Sequence, residues 1–215
     1  ARGEVAYKIV AIIITWRLDL VCEKIDHESQ SGFRCKRGCT DATFSLKMAM
    51  KKRREHGRES WVYFLDLVKA FDRMPRELLW LILLKIGVHP KAVKILKVLH
   101  ASVLVKFVIE AVEIIIDSII GVKQGDIPAP KLFILYMAAI TIAWKNTSRY
   151  NRCVYYTKPD WIIHGRRWNT RGEHFNFDDS MYADDSAFVL CSRKDVVSQC
   201  PRINAHFKRF GMEVH

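Results

Sequence analysis

Two adjacent carboxylates, Asp184 and Asp185, stand between apolar flanks in the stretch MYADDSAFVL, residues 181–190. The flanks favour β-strands, so the pair falls at the turn of a predicted hairpin. A two-residue hairpin turn prefers Asn-Gly, Asp-Gly or Gly-X, because its central positions need positive φ. Asp-Asp suits that turn poorly, and two like charges side by side are costly unless a cation lies between them. From this stretch alone, a plain turn and a metal site both remain open.

The same dipeptide occurs a few residues earlier as Asp178-Asp179 and serves as an internal comparison. Its neighbours, Asn176 and Ser180, are polar, which favours a loop. We therefore expect a polar loop at this earlier pair and a specific role for the later one.

A third carboxylate, Asp66, lies near the end of the apolar run WVYFLDL, residues 61–67, which predicts a strand buried on both faces. An unpaired charge is costly there, so Asp66 needs a positive partner. One explanation is an ion pair with Lys69. The other is that Asp66 and the pair at 184–185 converge at adjacent strand ends. Three carboxylates in one place suit two hard divalent cations, which can support phosphoryl transfer.

The net charge of the chain limits the class of substrate that we expect. Its 215 residues include 35 Lys and Arg against 23 Asp and Glu, a formal charge of +12. This excess favours a polyanionic partner, either nucleic acid or an acidic membrane surface, although a merely soluble basic protein has the same composition. Together with phosphoryl chemistry, the charge indicates nucleic acid or a nucleotide.

The cysteines and the apolar runs bear on where the protein works. The six cysteines form no regular framework, and the pair Cys35 and Cys39 has no second pair at zinc-finger distance. We expect reduced thiols in an intracellular protein, nuclear or cytoplasmic, without a secretory signal. The longest apolar run, residues 132–144, is too short to span a bilayer and predicts a buried helix, as does the run at residues 7–16.

Helices and strands alternate along the chain, which leaves an α/β and an α+β class open, built on one small sheet. Thr40 is a suitable N-cap for the second helix. Strands are predicted at 61–67, within 103–120 and, as a hairpin, at 181–191, with short strands and loops over 145–178. Helices are predicted over residues 5–25, 41–54, 75–86, 90–100, 131–144 and 196–209.

Four ordered blocks of the sequence resemble motifs of reverse transcriptases. Three of them resemble palm motifs, and the first resembles the extra motif of non-LTR (LINE-type) retrotransposon polymerases. The set is specific, whereas YADD alone would be weak, and the similarity covers essentially the whole chain. The blocks are SQSGFRCKRGCTDATF at 29–44, FLDLVKAFDRMPRELL at 64–79, GVKQGDIPAPKLF at 121–133 and YADD at 182–185.

The resemblance implies an α+β fold, in which a polymerase right-hand palm has a small antiparallel sheet backed by helices. Partial helical fingers would occupy residues 1–60 and the palm residues 61–215, with residues 76–122 contributing to the fingers and the thumb absent. The implied activity is that of an RNA-directed DNA polymerase, a nucleotidyltransferase that adds dNTPs to a DNA primer 3′-OH on an RNA template. The implied partners are therefore RNA template, DNA primer and dNTPs, with no membrane.

The resemblance also implies roles for the acidic residues and an aromatic one. Asp66, Asp184 and Asp185 would be the catalytic residues and would hold two Mg²⁺ ions, with Mn²⁺ as a substitute. Phe71 would be the bulky gate under the sugar that excludes a 2′-OH. Its alternative role is that of a core aromatic after the strand.

Further nucleotide and primer contacts follow from the same motifs. Gln124 and Gly125 match the pair at which the backbone approaches the incoming nucleotide and template, an approach that glycine permits because it lacks Cβ. Arg34 and Arg37 would contact the template or the triphosphate. Tyr182 would lie under the primer terminus, with packing at a strand end as its alternative.

A basic cluster is a candidate contact for template phosphates, with a solvated helix end or a nuclear-localisation patch as alternatives. It consists of Lys51, Lys52, Arg53, Arg54 and Arg58.

The chain departs from the family pattern in places: Lys131, for example, brings a positive charge to the start of a helix, where the macrodipole disfavours it. The rival hypothesis is a decayed or domesticated remnant that binds RNA or DNA without polymerising. An intron-maturase-like RNA-binding lobe is a third, weaker one.

Overall fold

A computed structural model describes residues 2–25, 28–55, 57–101, 104–109, 112–117, 120–123, 125–148, 154–156 and 174–215. Backbone contacts divide the chain into two compact units. Unit 1 consists of Ala1–Glu28, Asp66–Thr147 and Asn204–His215, and unit 2 consists of Ser29–Leu65 and Ser148–Ile203.

Helices and short strands both occur along the chain, as predicted, but they follow one another in runs and not in strict alternation. The strands are β1 (Trp61–Leu65), β2 (Leu104–Ile109), β3 (Val112–Asp117), β4 (Val154–Tyr156), β5 (His174–Asn176), β6 (Asp179–Tyr182) and β7 (Asp185–Leu190). The helices are α1 (Arg2–Ile25), α2 (Cys39–Glu55), α3 (Ala70–Arg73), α4 (Arg76–Lys85), α5 (Pro90–Leu99), α6 (Ala129–Thr147) and α7 (Arg193–Arg209).

The central feature of unit 2 is a three-stranded antiparallel sheet in the order β1-β7-β6. Its register sets Leu65 opposite Ser186 and Tyr182 opposite Asp185. Helix α2 packs against β6, and the Ser180 hydroxyl donates a hydrogen bond of 3.3 Å to the carbonyl of Ala42. Strand β7 is buried from Ser186 to Leu190, so the middle of the sheet is its hydrophobic part.

Strand β1 corrects one prediction. The run at 61–67 was expected to be a strand buried on both faces, but β1 ends at Leu65 and Phe64 is 70% exposed. The physical reason is the type of sheet: β1 belongs to an antiparallel sheet, whose strands commonly pack one face on the core and leave the other toward solvent. Leu67 instead forms an isolated antiparallel bridge with Val214 in unit 1.

Helix α1 is also less buried than its composition suggests. The predicted helix is present, but within its residues 5–25, whose burial the structure describes, only the stripe of Ala11, Ile14 and Leu18 is buried, whereas Trp16 is 68% exposed and Leu20 is exposed as well. A helix that is apolar around most of its circumference can turn only one stripe toward the helices it contacts, here α6 and α5. The prediction of a buried first helix was therefore wrong for most of its surface.

Helix α6 forms the core of unit 1, and here the prediction of a buried helix is confirmed. Phe133, Tyr136, Met137 and Ile140 are fully buried. Lys131 at its start pairs with Asp19 of α1, with 2.7 Å between Nζ and Oδ1. This ion pair offsets the unfavourable position of a lysine in the first turn of a helix.

Two helix starts differ from prediction. Helix α2 begins at Cys39, so Thr40 lies inside it and is not the N-cap. The Gly38 N–H donates a 2.7 Å hydrogen bond to the Asp41 carboxylate, which satisfies a backbone group at this end. Helix α7 begins three residues before the predicted Val196, because the Ser192 hydroxyl oxygen accepts from the Asp195 N–H at 3.2 Å and acts as a cap.

Several other elements agree with the sequence. Helices α4 and α5 end before Gly87 and His100, and the two strands predicted within 103–120 pair antiparallel as β2 and β3. The turn expected near Ala111 lies outside the described residues, as does most of the irregular region over 145–178, where β4 and β5 form a short antiparallel pair. Five cysteines are free thiols, and Cys153 lies outside the described residues. No helix within the described ranges has the length and hydrophobicity needed to cross a bilayer.

Candidate active site

The Asp184-Asp185 pair lies at the tight turn of the β6–β7 hairpin, which confirms the predicted hairpin. Strand β6 ends at Tyr182 and β7 begins at Asp185, so only Ala183 and Asp184 connect them. Ala183 has a φ of 56°, in the left-handed region that non-glycine residues rarely adopt. The turn therefore contains local backbone strain directly before the first carboxylate.

The exposure of the hairpin changes abruptly at this turn. Asp184 is half-buried and Asp185 exposed, while Met181 before them and Ser186 after them are buried. Tyr182 is exposed at the end of β6. The hairpin is thus anchored in the sheet along most of its length and presents its acidic end at the surface.

A buried glutamine from the first sequence block holds the turn. Gln30 Oε1 accepts hydrogen bonds from the N–H groups of Ala183, at 3.0 Å, and Gly32, at 2.8 Å. Its Nε2 donates to the carbonyl of Ala183 at 3.3 Å. Sequence reasoning named neighbouring arginines in this block but missed Gln30. No local pattern marks Gln30, because its partner Ala183 lies 153 positions further along the chain.

The earlier acidic pair contradicts its prediction in part. Asp178 lies in the connection between β5 and β6, as expected of a loop, but Asp179 opens strand β6. Both residues are buried, and Asp179 is 2% exposed. The Ser29 hydroxyl donates a 2.6 Å hydrogen bond to Asp179 Oδ2, and the Asp178 carbonyl accepts from the Val189 N–H at 2.8 Å. Because these partners come from distant parts of the chain, the polar neighbours in sequence do not describe the environment of the pair.

Asp66, in unit 1, is the first residue after β1 and is exposed. The prediction that Asp66 is buried and needs a partner was therefore wrong, and the structure shows no ion pair between Asp66 and Lys69, both within its described residues. Residues 213–215 fix the backbone here. The Asp66 carbonyl accepts a hydrogen bond from the His215 N–H at 3.0 Å, and the Val68 N–H donates to the backbone carbonyl of Glu213 at 2.9 Å. In the described part of the chain, no three His, Cys, Asp or Glu side chains form a metal-binding group.

Phe71 lies in the short helix α3 and is half-buried. Its ring stacks on that of the fully buried Phe133, with centroids 4.4 Å apart and an interplanar angle of 21°. The Phe71 carbonyl accepts from the Val122 N–H at 2.9 Å, which connects α3 to the loop before α6. Phe71 therefore packs against the core on one side while part of its surface stays accessible.

In the nucleotide-loop motif, Gln124 lies outside the described residues, whereas Gly125 is exposed with a φ of 82°. A Cβ on Gly125 would meet no atom within 4 Å. Glycine is therefore required here by the backbone conformation, with open space beside it.

The loop is anchored by Asp126, which is buried although its predecessor Gly125 is exposed. Asp126 Oδ1 accepts from the Tyr7 hydroxyl at 2.6 Å and from the Ile127 N–H at 2.9 Å. Burial, then the hydrogen bond and charge of Asp126, raise the pKa of Tyr7, so the phenol stays protonated. On its other side, Asp126 Oδ2 is 3.8 Å from His100 Nε2.

Burial lowers the pKa of His100, against smaller opposing effects of the Leu96 carbonyl and Asp126, and Arg76 lowers it further. Arg76 is itself buried, and its guanidinium donates to the carbonyls of Gly121 at 2.6 Å, His100 at 2.9 Å and Ile120 at 3.3 Å. These bonds fix the backbone on which the nucleotide-loop motif begins.

Arg34 and Arg37 belong to unit 2, as does the acidic turn, and both are half-buried. Arg34 Nη1 donates a 3.0 Å hydrogen bond to the carbonyl of Gln30. Phe33 and Lys36 have positive φ, of 55° and 59°, so the segment turns sharply twice. Arg34 is therefore attached to the same segment that holds the turn.

The basic cluster at the end of α2 is not uniform. Arg53 is 4% exposed, and its guanidinium donates to the Glu59 carbonyl and to the Ser60 hydroxyl. Arg53 therefore stabilises the backbone of unit 2, and its buried guanidinium does not fit the predicted role of a phosphate contact. The other members are exposed or half-buried: Lys51, Lys52, Arg54 and Arg58.

The sequence profile described as reverse transcriptase (RNA-dependent DNA polymerase) matches residues 2–215. The chain belongs to this family. No curated protein sequence matches it.

Solved structures with the same fold include telomerases from two Candida species. Apo telomerase from Candida tropicalis has a TM-score of 0.61 and 12% identity, over 97% of this chain and 35% of that one. The same telomerase truncated from its C-terminal domain has a TM-score of 0.57 and 11% identity, over 96% of this chain and 38% of that one. Telomerase from Candida albicans in complex with the TWJ fragment of telomeric RNA has a TM-score of 0.51 and 10% identity, over 96% of this chain and 33% of that one.

At such low identity, the likeness establishes the fold alone. The reverse transcriptase chain spans about a third of the length of these structures. The predicted α+β polymerase fold is confirmed, with helices and a small antiparallel sheet.

Proposed function

We propose that the chain provides the nucleotidyl-transfer site of an RNA-directed DNA polymerase of the non-LTR (LINE) type. The observation that carries the proposal is the Asp184-Asp185 turn, which presents two adjacent carboxylates at the surface end of an otherwise buried hairpin. A reverse transcriptase needs such a site, and family membership supplies the class of reaction. The LINE type rests on the block at residues 29–44, whose Gln30 contacts this turn.

The ligands proposed for two divalent cations are Asp66, Asp184 and Asp185. Carboxylate oxygens are the donors that Mg²⁺ prefers, and Mn²⁺ is accepted by the same set. Support for Asp66 comes from the chain itself, because Asp66 directly follows Leu65, and Leu65 pairs with Ser186, the neighbour of Asp185. Bound cations would supply activation of the primer hydroxyl and neutralisation of the leaving phosphates.

In the proposed reaction, the oxygen of the primer 3′-OH attacks the α-phosphorus of a dNTP. A new phosphodiester bond forms, the bond between the α-phosphorus and the bridging oxygen breaks, and pyrophosphate leaves while the hydroxyl proton passes to solvent. The contribution of the protein to such a transfer is positioning and charge neutralisation. The formal charge of +12 favours binding of the RNA template and DNA primer.

The remaining site residues are assigned by motif. Phe71 would select deoxynucleotides with the part of its ring that Phe133 leaves accessible. Gln124 and Gly125 would face the incoming nucleotide, with the loop anchored through Asp126. A third group would contact template, triphosphate and primer: Arg34, Arg37 and Tyr182.

The same proposal covers the organisation of the chain. Residues 1–60 would form part of the fingers and residues 61–215 the palm, with residues 76–122 contributing to the fingers.

Primer extension on an RNA template with Mg²⁺ or Mn²⁺ tests the proposal. The wild-type chain should add dNTPs, and Asp184→Asn should reduce extension to background because it removes one ligand charge. Asp195→Asn is the matched control, since Asp195 lies in the first turn of α7 and bonds to Ser192, and it should extend as wild type does.

The rival, a remnant that binds nucleic acid, has its own outcome. If wild type and Asp184→Asn both retard RNA in a salt-dependent way and neither extends a primer, the polymerase proposal is rejected in its favour.

A further inference from the structure

We infer that Gln30 is a positioning residue for the acidic turn and that its side-chain amide sets the geometry of Asp184. The inference rests on the proposed function, in which Asp184 and Asp185 bind cations. Gln30 itself touches neither carboxylate in the hydrogen bonds described for it; it acts through the backbone of Ala183.

The contact is unusually complete for one side chain. The amide of Gln30 both accepts from the N–H and donates to the carbonyl of Ala183, at 3.0 Å and 3.3 Å. The same Oε1 accepts from the Gly32 N–H at 2.8 Å. Gln30 is 3% exposed, so water does not compete for these bonds. They therefore fix both the position and the orientation of the peptide groups on each side of Ala183.

The turn needs this support for two physical reasons. Ala183 is held at a φ of 56°, in the left-handed region that is unfavourable for a residue with a Cβ. Two carboxylates follow it directly, and their mutual repulsion favours any rearrangement that separates them. Gln30 opposes that relaxation, because leaving the strained conformation would break its bonds to Ala183 inside a buried site.

The backbone around Gln30 is matched to the same task. Met181 N–H donates to the Ser29 carbonyl at 2.8 Å and Ser31 N–H donates to the Met181 carbonyl at 2.9 Å, so this segment lies parallel to β6. A Cβ at Gly32 would lie 2.9 Å from Ala183 Cα, a distance that real side chains do not show. Glycine thus permits the close approach that brings the Gln30 amide to the turn.

The test compares Gln30→Met, which keeps the length and removes the hydrogen bonds, with Gln199→Met as control. Gln199 is also buried in unit 2, and the bonds described for its side chain are with residues of its own helix, α7. Three measurements are made: amide hydrogen exchange in the peptide containing residues 181–186, Mn²⁺ binding followed by electron paramagnetic resonance, and primer extension at varied Mg²⁺.

In Gln30→Met we expect at least about tenfold faster exchange in that peptide, because the Ala183 N–H is left without its acceptor. We also expect about 10–100-fold weaker Mn²⁺ binding, the usual effect of removing a group that orients metal ligands. Extension should need correspondingly more Mg²⁺ while the KM for dNTP changes little. Gln199→Met should behave as wild type in all three measurements.

A folded Gln30→Met that exchanges, binds Mn²⁺ and extends like wild type would overturn the inference. If Gln30→Met does not fold, Gln30→Glu replaces it, because its carboxylate keeps an acceptor for the Ala183 and Gly32 N–H groups and removes only the donor. In Gln30→Glu, the amides of the peptide containing residues 181–186 should exchange faster than in wild type and in Gln199→Met, but slower than in an unprotected peptide. Exchange at the wild-type rate in this variant would contradict the inference. A wild type that neither binds Mn²⁺ nor extends rejects the proposed function, and hydrogen exchange still decides whether Gln30 holds the turn.

Discussion

The hydroxyl of Tyr7 donates a 2.6 Å hydrogen bond to Asp126, joining residues 119 positions apart in the chain. Tyr7 lies on α1, and Asp126 follows Gly125 in the loop proposed to face the nucleotide. The bond therefore ties the first helix to the conformation of that loop.

Tyr7→Phe should lower the free energy of unfolding by about 1.5 kcal/mol, since a buried carboxylate is deprived of a hydrogen-bond donor. Chemical denaturation checks this value. Tyr182→Phe is the control, because Tyr182 is exposed at the end of β6, and it should shift the unfolding free energy by less than about 0.5 kcal/mol. Equal effects of the two substitutions would show that the Tyr7–Asp126 bond contributes nothing to stability.

The buried His100 predicts acid-sensitive stability. Its pKa is lowered in the folded chain, chiefly by burial, so unfolding takes up a proton below the unfolded pKa of about 6.5. Its contribution is present above that pH and is lost as pH falls toward the folded pKa. Melting temperatures between about pH 7.5 and 5 should therefore fall less steeply in His100→Gln than in wild type.

Gln199→Met is the control for that experiment, since Gln199 is buried, as His100 is, but has no titratable side chain. Its pH profile should run parallel to that of wild type. Parallel profiles for wild type and His100→Gln would mean that another group is responsible for acid sensitivity.

Phe71 should govern the choice between deoxy- and ribonucleotides. Phe71→Val opens space beside the sugar and should raise the ratio of rNTP to dNTP incorporation by at least about tenfold, a difference of about 1.4 kcal/mol. The ratio is measured by single-nucleotide extension. Phe133→Leu is matched to it, because it disturbs the same stacked pair from the buried side and should lower stability without changing the ratio. A ratio that rises equally in both variants would assign Phe71 to packing alone.

The basic end of α2 should show two different phenotypes. Lys51→Gln combined with Lys52→Gln should weaken RNA binding and reduce the slope of log K against log salt by about 0.7 for each phosphate that the protein no longer neutralises. Arg53→Gln should instead lower the unfolding free energy by about 2 kcal/mol, since its buried guanidinium holds the Glu59 carbonyl and Ser60. Filter binding at several salt concentrations and chemical denaturation separate the two. If only Arg53→Gln changed the slope of log K against log salt, Arg53 would be the phosphate contact, and Lys51 and Lys52 would not.

Local signals were enough to predict much of the fold. Glycines such as Gly87, with a φ of 94°, mark the ends of helices, and Pro90 opens α5 where a fixed φ suits the first helical position. The β6–β7 hairpin follows from the apolar flanks around Asp184-Asp185. These features depend on a few neighbouring residues, which is why the sequence alone determined them, together with the family to which its ordered motifs belong.

Burial and pairing, in contrast, were decided by residues far apart in the chain. Asp66 was expected in a buried strand and is exposed, because β1 ends at Leu65; Asp179 was expected in a loop and is buried beside Ser29. The same holds for Gln30, which is 153 positions from Ala183 and whose role no local pattern shows. Hydrophobic periodicity and composition indicate which residues can be buried. Only the folded chain determines which distant backbone groups form hydrogen bonds with each polar side chain.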